Sequence, residues 1–262
     1  MRVLMIGDVI GKPGRRAVTA LVPALRRELR LDVVIANGEN AAAGRGLTTG
    51  TAKELFAAEV DVITSGNHIW DQKDIIPMLD SEAPVLRPAN YPPGVPGRGL
   101  VRYGELTVIN LMGRTFMYEI DDPFRAADRL LELSPAGGPV IVDMHAEATS
   151  EKVAMGWYLD GRVSAVLGTH THVPTADQRI LPQGTAFVCD VGMCGPTESI
   201  IGVEVEAVLQ RFLTAMPARF TVPEKARRVS FNSVLVEVDD QSGRARSIER
   251  IDREWEADGE QG

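Results

Sequence analysis

Two histidines stand one residue apart in the segment LGTHTHVP, residues 167–174, and they are half of the histidines in the chain. If Val163–Leu167 is a buried strand, its extension carries His170 and His172 to the same side, because strand side chains alternate. Their ring origins would then lie roughly 6–7 Å apart. That separation is wide for one ion and suits two metal ions about 3.5–4 Å apart, with one histidine each. For an isolated H-x-H motif, a pair of loop histidines at a strand end is the favoured explanation, so other residues must decide.

Polar side chains that can bind metal also follow four other predicted strands. They are Asp8 in IGD, Glu39 and Asn40 in NGEN, Asn67 and His68 in SGNH, and His145 after PVIVDM. Ligands of open α/β sheets collect at the carboxyl ends of the strands. Singly, each residue has a structural explanation: Asp8 could cap a helix, Glu39 could be a solvated loop acid and His145 a satisfied core histidine. Jointly, with every histidine of the chain among them, they indicate one metal site.

The types of donor atom limit which metal ions the site suits and which reaction it can support. Carboxylate, amide oxygen and imidazole without thiolate suit Mn, Fe, Zn or Co. Seven ligand residues exceed what one ion uses, so we expect Glu39 to bridge two ions. Asp8, Asn40 and His172 would complete one metal site, and Asn67, His145 and His170 the other. With a bridging hydroxide the site keeps about one positive charge, which favours a singly charged phosphodiester undergoing in-line displacement.

The elements that must position these residues alternate between strand and helix in the first half of the chain. Apolar runs predict strands at Arg2–Ile6, LDVVIA and VDVIT, and helices over roughly 49–59 and 123–133. Later segments predict hairpins: GLVRYGELTVINLMG turning at Gly104, RILPQGTAFVCD, and the C-terminal RVSFNSVLVEVDDQSGRARSIERID. We expect a four-layer α/β/β/α sandwich with two mixed sheets, the second sheet in the C-terminal half. Residues 1–255 would form one domain, followed by an acidic, frayed tail at 256–262.

Composition excludes several classes of protein. The chain has 262 residues, 44% hydrophobic, with a formal net charge of −8, which argues against an extended nucleic-acid groove. No apolar run approaches the roughly 20 residues of a membrane span, and the N-terminus lacks a signal peptide's apolar core. Cys189 and Cys194 form no ligand pattern and are expected to be small buried residues. We expect a cytoplasmic protein; a homo-oligomer is compatible with the sequence, although no heptad pattern indicates one.

The motifs resemble, in the same order, those of calcineurin-like metallophosphoesterases. Longer segments resemble the YmdB-type branch, bacterial phosphodiesterases of cyclic nucleotides that include 2′,3′-cyclic AMP. Those segments are IGDVIGKPGRRAV, NGENAAAGRGLT, SGNHIWDQKDI, NLMGRTFM, DMHAEATSEK and LGTHTHVPTAD, and the resemblance covers about residues 1–237. It implies the calcineurin-like metallophosphoesterase fold and a binuclear phosphodiesterase in which a metal-bridging hydroxide attacks phosphorus.

The departures from the wider superfamily match the YmdB-type pattern. The usual D-x-H motif has Ile10 in its third position, and the usual bridging aspartate is Glu39 in GEN, with Asn40 available as an oxygen donor. The resulting oxygen-rich site fits Mn or Fe better than zinc. The resemblance implies iron as the first choice, with manganese able to substitute.

His68 lies outside the ligand set and can lean over the substrate. A histidine with a pKa near 6.5 can protonate a departing alkoxide at neutral pH, and the resemblance implies that proton-donor role; Asp71 could orient its ring. Candidate substrate-binding residues are Arg45, Arg114 and Phe116, although solvated arginines and a packed aromatic are alternatives. Rival functions are a phosphomonoesterase or nuclease using the same site, and a regulatory protein that binds a nucleotide or RNA and keeps structural metals.

Overall fold

The structure, a computed structural model, describes residues 1–134 and 138–257. Two β-sheets run through them. The strands are β1 (Arg2–Val9), β2 (Val33–Asn37), β3 (Val62–Thr64), β4 (Leu100–Tyr103), β5 (Leu106–Met112), β6 (Val140–His145), β7 (Ala165–Thr169), β8 (Arg179–Ile180), β9 (Ala186–Val188), β10 (Met193–Pro196), β11 (Arg228–Phe231), β12 (Ser233–Val238), β13 (Ala245–Arg250) and β14 (Arg253–Glu256). The helices are α1 (Gly11–Leu29), α2 (Thr49–Ala57), α3 (Ile76–Leu79), α4 (Pro123–Glu132), α5 (Thr149–Tyr158) and α6 (Val205–Thr214), with a 3₁₀ turn at Lys73–Ile75.

The first sheet is built around β1, which pairs in parallel with β2 and β10 and antiparallel with β12. Strands β3, β11, β13 and β14 complete its eight strands. The second sheet has the order β4-β5-β6-β7-β9-β8. The expectation that the second sheet lies in the C-terminal half is confirmed for β6, β7, β8 and β9. It is wrong for β4 and β5, which precede that half, and for β10 to β14, which join the first sheet. The middle of the chain forms that sheet, because the C-terminal strands find their hydrogen-bonding partners on the N-terminal strand.

Three apolar clusters separate four layers, which confirms the predicted α/β/β/α sandwich. The cluster between α1, α2 and the first sheet takes Leu4 and Ile6 of β1, whereas the cluster between the sheets takes Val3 and Met5. This alternation is the two-residue period of a strand that is buried on both faces. A third cluster packs α4 and α5 on the outer face of the second sheet. The two sheets therefore lie face to face, with the ends of their parallel strands at one edge.

Most of the predicted strands, helices and hairpins are confirmed. The hairpin β4–β5 turns at Gly104, whose φ of 58° is left-handed, and β8–β9 and β12–β13 are hairpins as expected. Strand β10 and helix α6 have no counterpart in the sequence-based assignment.

The acidic C-terminal segment begins as ordered structure. Glu256, expected in the frayed tail, pairs with Arg228 at the end of β14, so the tail prediction is wrong at that residue. Residues 258–262 of the predicted tail lie outside the described residues. Within residues 1–134 and 138–257 no helix combines the length and apolar character of a membrane span.

Candidate metal centre

Strand ends from both sheets meet at one edge of the sandwich. Asp8 lies in β1, and Glu39 and Asn40 follow β2 in a buried turn. Asn67 and His68 follow β3. From the second sheet, His145 ends β6, and His170 and His172 follow β7. The seven residues expected to bind metal are thereby brought together from five strands.

One group of donors surrounds the Nε2 atom of His145. That atom lies 3.2 Å from Glu39 Oε2, 3.0 Å from Asn67 Oδ1 and 3.0 Å from His170 Nδ1. One ligand atom each from Glu39, His145 and His170 lie within 4.8 Å of one another, close enough to share one ion. Asn67 adds an amide oxygen to this group.

A second group contains Asp8, Glu39 and His172, whose ligand atoms also lie within 4.8 Å of one another. His172 Nε2 is 3.8 Å from Asp8 Oδ1. Asn40 belongs to this group, but it presents its Nδ2 atom, 3.0 Å from Glu39 Oε1 and 3.2 Å from His172 Nε2. Its amide oxygen would face an ion only after a turn of the amide. Glu39 is common to both groups, which is the arrangement that a bridging carboxylate requires.

The histidine pair does not lie on an extension of β7, and that expectation is wrong. The strand ends at Thr169, and His170 and His172 have φ values of 98° and 65°. The loop is held instead by side chains. Asp8 Oδ2 accepts from the His170 backbone N–H at 3.1 Å, and Asp190 accepts from the N–H and the hydroxyl of Thr171. Left-handed backbone lets the two imidazoles reach different donor groups.

Each of the three histidines donates one ring N–H away from the centre. His172 Nδ1 lies 2.8 Å from the Ile201 carbonyl oxygen, which can only accept. His170 Nε2 lies 3.1 Å from a carboxylate oxygen of Glu147. His145 Nδ1 lies 2.9 Å from the Thr169 hydroxyl, which itself donates to Asp143. In the neutral rings these partners fix the tautomers and leave the other nitrogen of each ring with a lone pair facing the centre, as in metal-ligating histidines.

Burial and charge favour a cation between these groups. Burial raises the pKa of Asp8 to about 6. For Glu39 burial acts in the same direction, but the His145 imidazole outweighs it and holds the pKa of Glu39 well below its usual range. Burial opposes a charge on His145, yet the Glu39 carboxylate raises the pKa of His145 to about 9. Burial, aided by His145, lowers the pKa of His170 to about 3. The Glu39 carboxylate thus favours one positive charge on His145, and burial together with that charge disfavours a second one on His170.

Three further observations fit a metal rather than an apolar or purely hydrogen-bonded core. His145 Nε2 and His170 Nδ1 lie 3.0 Å apart. In the neutral rings their lone pairs would oppose each other, a repulsion that a shared cation relieves. Asp8 Oδ1 is buried and has no hydrogen-bond partner in the described part of the chain, which is costly for a carboxylate. A Cβ atom on Gly66 would lie 2.1 Å from His145 Nε2 and 2.4 Å from Glu39 Oε2, so the backbone lines this cradle at van der Waals distance. The residues present fit metal ions.

His68 lies at the rim of the centre. Its backbone N–H donates to Glu39 Oε2 at 3.1 Å, and its ring Nδ1 is 3.0 Å from Asp71 Oδ2. Asp71 is therefore the carboxylate within reach of the ring, and it fixes the Nδ1–H tautomer. The His68 side chain is 22% exposed, so part of the ring is accessible to a bound molecule.

The candidate substrate-binding residues take different positions. Phe116 is 89% exposed and, with Tyr118, lines a pocket of about 250 Å³ that also includes Asn67 and His170. The Arg114 guanidinium is paired with Asp122 at 2.8 Å and points its charge into that contact. Arg45 lines a separate cleft.

The sequence analysis did not predict several residues that support the candidate metal ligands. Asp143 accepts from Asn37 and Thr169 beneath His145, and Asn37 also accepts from the Glu39 backbone N–H at 3.1 Å. Lys152 pairs with Asp190 at 2.6 Å below the histidine loop. A signal was present for Asp143 alone, a charged residue inside the apolar strand PVIVDM. Long-range partners such as Lys152 and Asp190 leave no local pattern.

The comparisons with known proteins agree on one family. The family model described as YmdB-like protein matches residues 4–251. The 2′,3′-cyclic-nucleotide 2′-phosphodiesterase of Bacillus subtilis is 50% identical over 256 residues, which cover 96% of either chain. A crystal structure of a hypothetical protein from Thermus thermophilus superposes with a TM-score of 0.91 at 50% identity, covering 97% of this chain and 100% of that one. A novel phosphatase from Mycoplasma pneumoniae has a TM-score of 0.91 at 33% identity, covering 98% and 94%.

Proposed function

The chain belongs to the YmdB-like protein family, and from that premise we propose that it is a binuclear-metal phosphodiesterase that hydrolyses small cyclic nucleotides such as 2′,3′-cyclic AMP. The observation that carries the proposal is the pair of buried donor groups that share Glu39, with His68 at their rim. The relative from Bacillus subtilis bears the name of a 2′,3′-cyclic-nucleotide phosphodiesterase, which supports the substrate class.

In this proposal Asp8, Asn40 and His172 bind one ion, Asn67, His145 and His170 bind the other, and Glu39 binds both. Two ions held this way would lower the pKa of a shared water and stabilise negative charge on phosphoryl oxygens. Iron is the first choice by family resemblance, with manganese able to substitute, and the oxygen-rich donor set fits both. The metal identity, the cytoplasmic location and a homo-oligomer stay predictions.

The chain's own residues account for substrate orientation and the leaving group. Asp71 accepts from His68 Nδ1–H, which leaves Nε2 as the ring nitrogen that faces the substrate in this proposal. When the ring is protonated, Nε2 donates its proton to the ribose oxygen that leaves phosphorus, and the Asp71 carboxylate stabilises the charged imidazole until then. The exposed ring of Phe116 provides a surface on which a base can stack, beside Asn67 and His170.

The first test combines metal content with turnover. Purified protein is analysed for metal and assayed on 2′,3′-cyclic AMP and 3′,5′-cyclic AMP, with and without added manganese. We expect about two ions per chain and metal-dependent hydrolysis of the diester. Two ions without diester turnover would favour the phosphomonoesterase or the regulatory nucleotide- or RNA-binding protein, and cleavage of long RNA within the strand would favour the nuclease.

The His68→Ala variant separates catalysis from binding. General acid–base residues contribute about 10²–10⁴-fold to rate, so we expect kcat to fall in that range while the metal content stays at the wild-type value. A regulatory protein with structural metals would keep its ligand affinity, and unchanged turnover would remove His68 from the mechanism.

A further inference from the structure

A cleft lined by arginines borders the loop that follows Asn40, one of the candidate metal ligands. Its volume is about 630 Å³, and Arg45, Arg211 and Arg219 contribute to its walls together with Phe220 and Glu224. One wall is the loop 41–46, which follows the metal-site residue Asn40. Gly46 of that loop packs against the His68 carbonyl, and the Arg45 carbonyl accepts from the Gln72 amide at 3.1 Å. The loop that lines the cleft is therefore in contact with the segment that carries His68.

The charge of the cleft is unusual for this chain. The protein has a formal net charge of −8, yet three guanidinium groups and one carboxylate line this surface. Over residues 1–134 and 138–257, none of the three arginines forms an ion pair with a carboxylate, whereas Arg114, Arg162 and Arg228 are paired. Arg211 instead lies over the Phe220 ring at 5.5 Å, which holds its guanidinium toward the cleft. Like charges collected around one cavity repel, and an anion relieves that repulsion.

The geometry of the proposed substrate indicates which anion the cleft would bind. In a nucleoside 2′,3′-cyclic phosphate the base is attached at C1′ and the 5′ oxygen is carried beyond C4′. The two groups therefore leave opposite ends of the ribose, on the ring face opposite the cyclic phosphate. With the cyclic phosphate at the metal centre, the pocket of Phe116 and Tyr118 lies on the side of Asn67 and His170. The arginine cleft lies on the side of loop 41–46 and residues 218–224. The two cavities share no lining residue, and one offers an aromatic surface to a base and the other a cationic surface to a 5′ substituent.

We propose that the Arg45–Arg211–Arg219 cleft binds a second phosphate, carried on the 5′ oxygen of the cyclic nucleotide. The inference rests on the proposed function and names its substrate class: 2′,3′-cyclic nucleotides with a 5′-phosphoryl group. That chemistry occurs in a free 5′-phosphorylated cyclic nucleotide and at the 3′ end of a short RNA, where the same oxygen carries a phosphodiester. The cleft takes no part in bond cleavage.

The test compares three substrates: 2′,3′-cyclic AMP, its 5′-phosphorylated form, and the dinucleotide ApA with a 2′,3′-cyclic phosphate end. A charge-assisted contact to phosphate predicts about tenfold higher kcat/KM for the last two. The double variant Arg211→Gln/Arg219→Gln should bring that ratio close to one, and added salt should reduce it. The control Arg102→Gln, on an exposed arginine of β4, should keep the ratio. A preference for the monoester alone assigns the cleft to free nucleotides, and a preference for both assigns it to RNA ends as well.

Calorimetric binding separates this inference from the function on which it rests. If the wild-type protein hydrolyses all three substrates with equal kcat/KM, the cleft proposal is overturned and the phosphodiesterase stands. If it hydrolyses none, the affinities of wild type and double variant for the 5′-phosphorylated ligand still decide the cleft. Tighter binding by wild type supports it, and equal binding overturns it.

Discussion

Replacing Lys152 by methionine tests whether a buried ion pair holds the histidine loop. Lys152 in α5 is 1% exposed, and its Nζ lies 2.6 Å from Oδ2 of the fully buried Asp190. The same carboxylate accepts from the N–H and the hydroxyl of Thr171, which stands between His170 and His172. The pair therefore connects a helix on the outer face of the second sheet to the loop that contributes to both candidate donor groups.

The expected loss in the free energy of unfolding follows from the Asp190 carboxylate that the substitution leaves without its cation. Removing one partner of a buried pair costs about 3–5 kcal/mol, because the remaining charge stays buried. Asp190 keeps three donors, two from Thr171 and the N–H of Gly192 at 2.8 Å, so we expect the lower end, about 3 kcal/mol. For a chain of this size that lowers the melting temperature by about 6–12 °C. We also expect metal affinity to fall about 10–100-fold, because a displaced loop no longer holds the imidazoles of His170 and His172 in position.

The assay is thermal unfolding followed by circular dichroism in the presence of a chelator, and then metal titration of the folded variants. Lys53→Met, on an exposed lysine of α2, is the matched control and should melt within about 2 °C of wild type. The double variant Lys152→Met/Asp190→Asn leaves no buried charge and should recover part of the lost stability. A Lys152→Met protein that melts with the control and binds metal as tightly as wild type would refute the reasoning.

Three further outcomes are expected. Chelation of the metal should lower the melting temperature and readdition should restore it, because an ion bound only by the folded state stabilises it by mass action; a melting temperature that is independent of metal would argue against a buried site. Phe116→Ala should raise KM for cyclic AMP several-fold with little change in kcat, since stacking contributes about 1–3 kcal/mol per base, and a change in kcat alone would place Phe116 elsewhere in the mechanism. Both thiols are buried and burial raises the pKa of Cys189 and Cys194, so a thiol reagent should label neither before unfolding; fast labelling of the native protein would contradict their burial.

Much of the candidate site was readable because its residues directly follow apolar strands. Asp8, Glu39, Asn67, His145 and His170 each come at or just after a run of buried residues, and the carboxyl ends of parallel strands gather at one edge. The hydrophobic periods likewise predicted the layers, since strand β1 is buried on both faces and reads as a continuous apolar run. These patterns involve residues close together in the chain, so they can be recognised without knowledge of the tertiary structure.

By itself, then, the sequence determined the ligand residues to test, the α/β/β/α architecture and the family resemblance. Only the tertiary structure decided which strands share a sheet, that Asp71 reaches His68, and that Lys152 and Asp190 support the histidine loop. It also decided the left-handed backbone at His170 and His172, which a strand pattern alone predicts wrongly. The physical reason is the same in each case: pairing between residues far apart in the chain depends on packing in three dimensions, and packing imposes no period on the residues that it brings together.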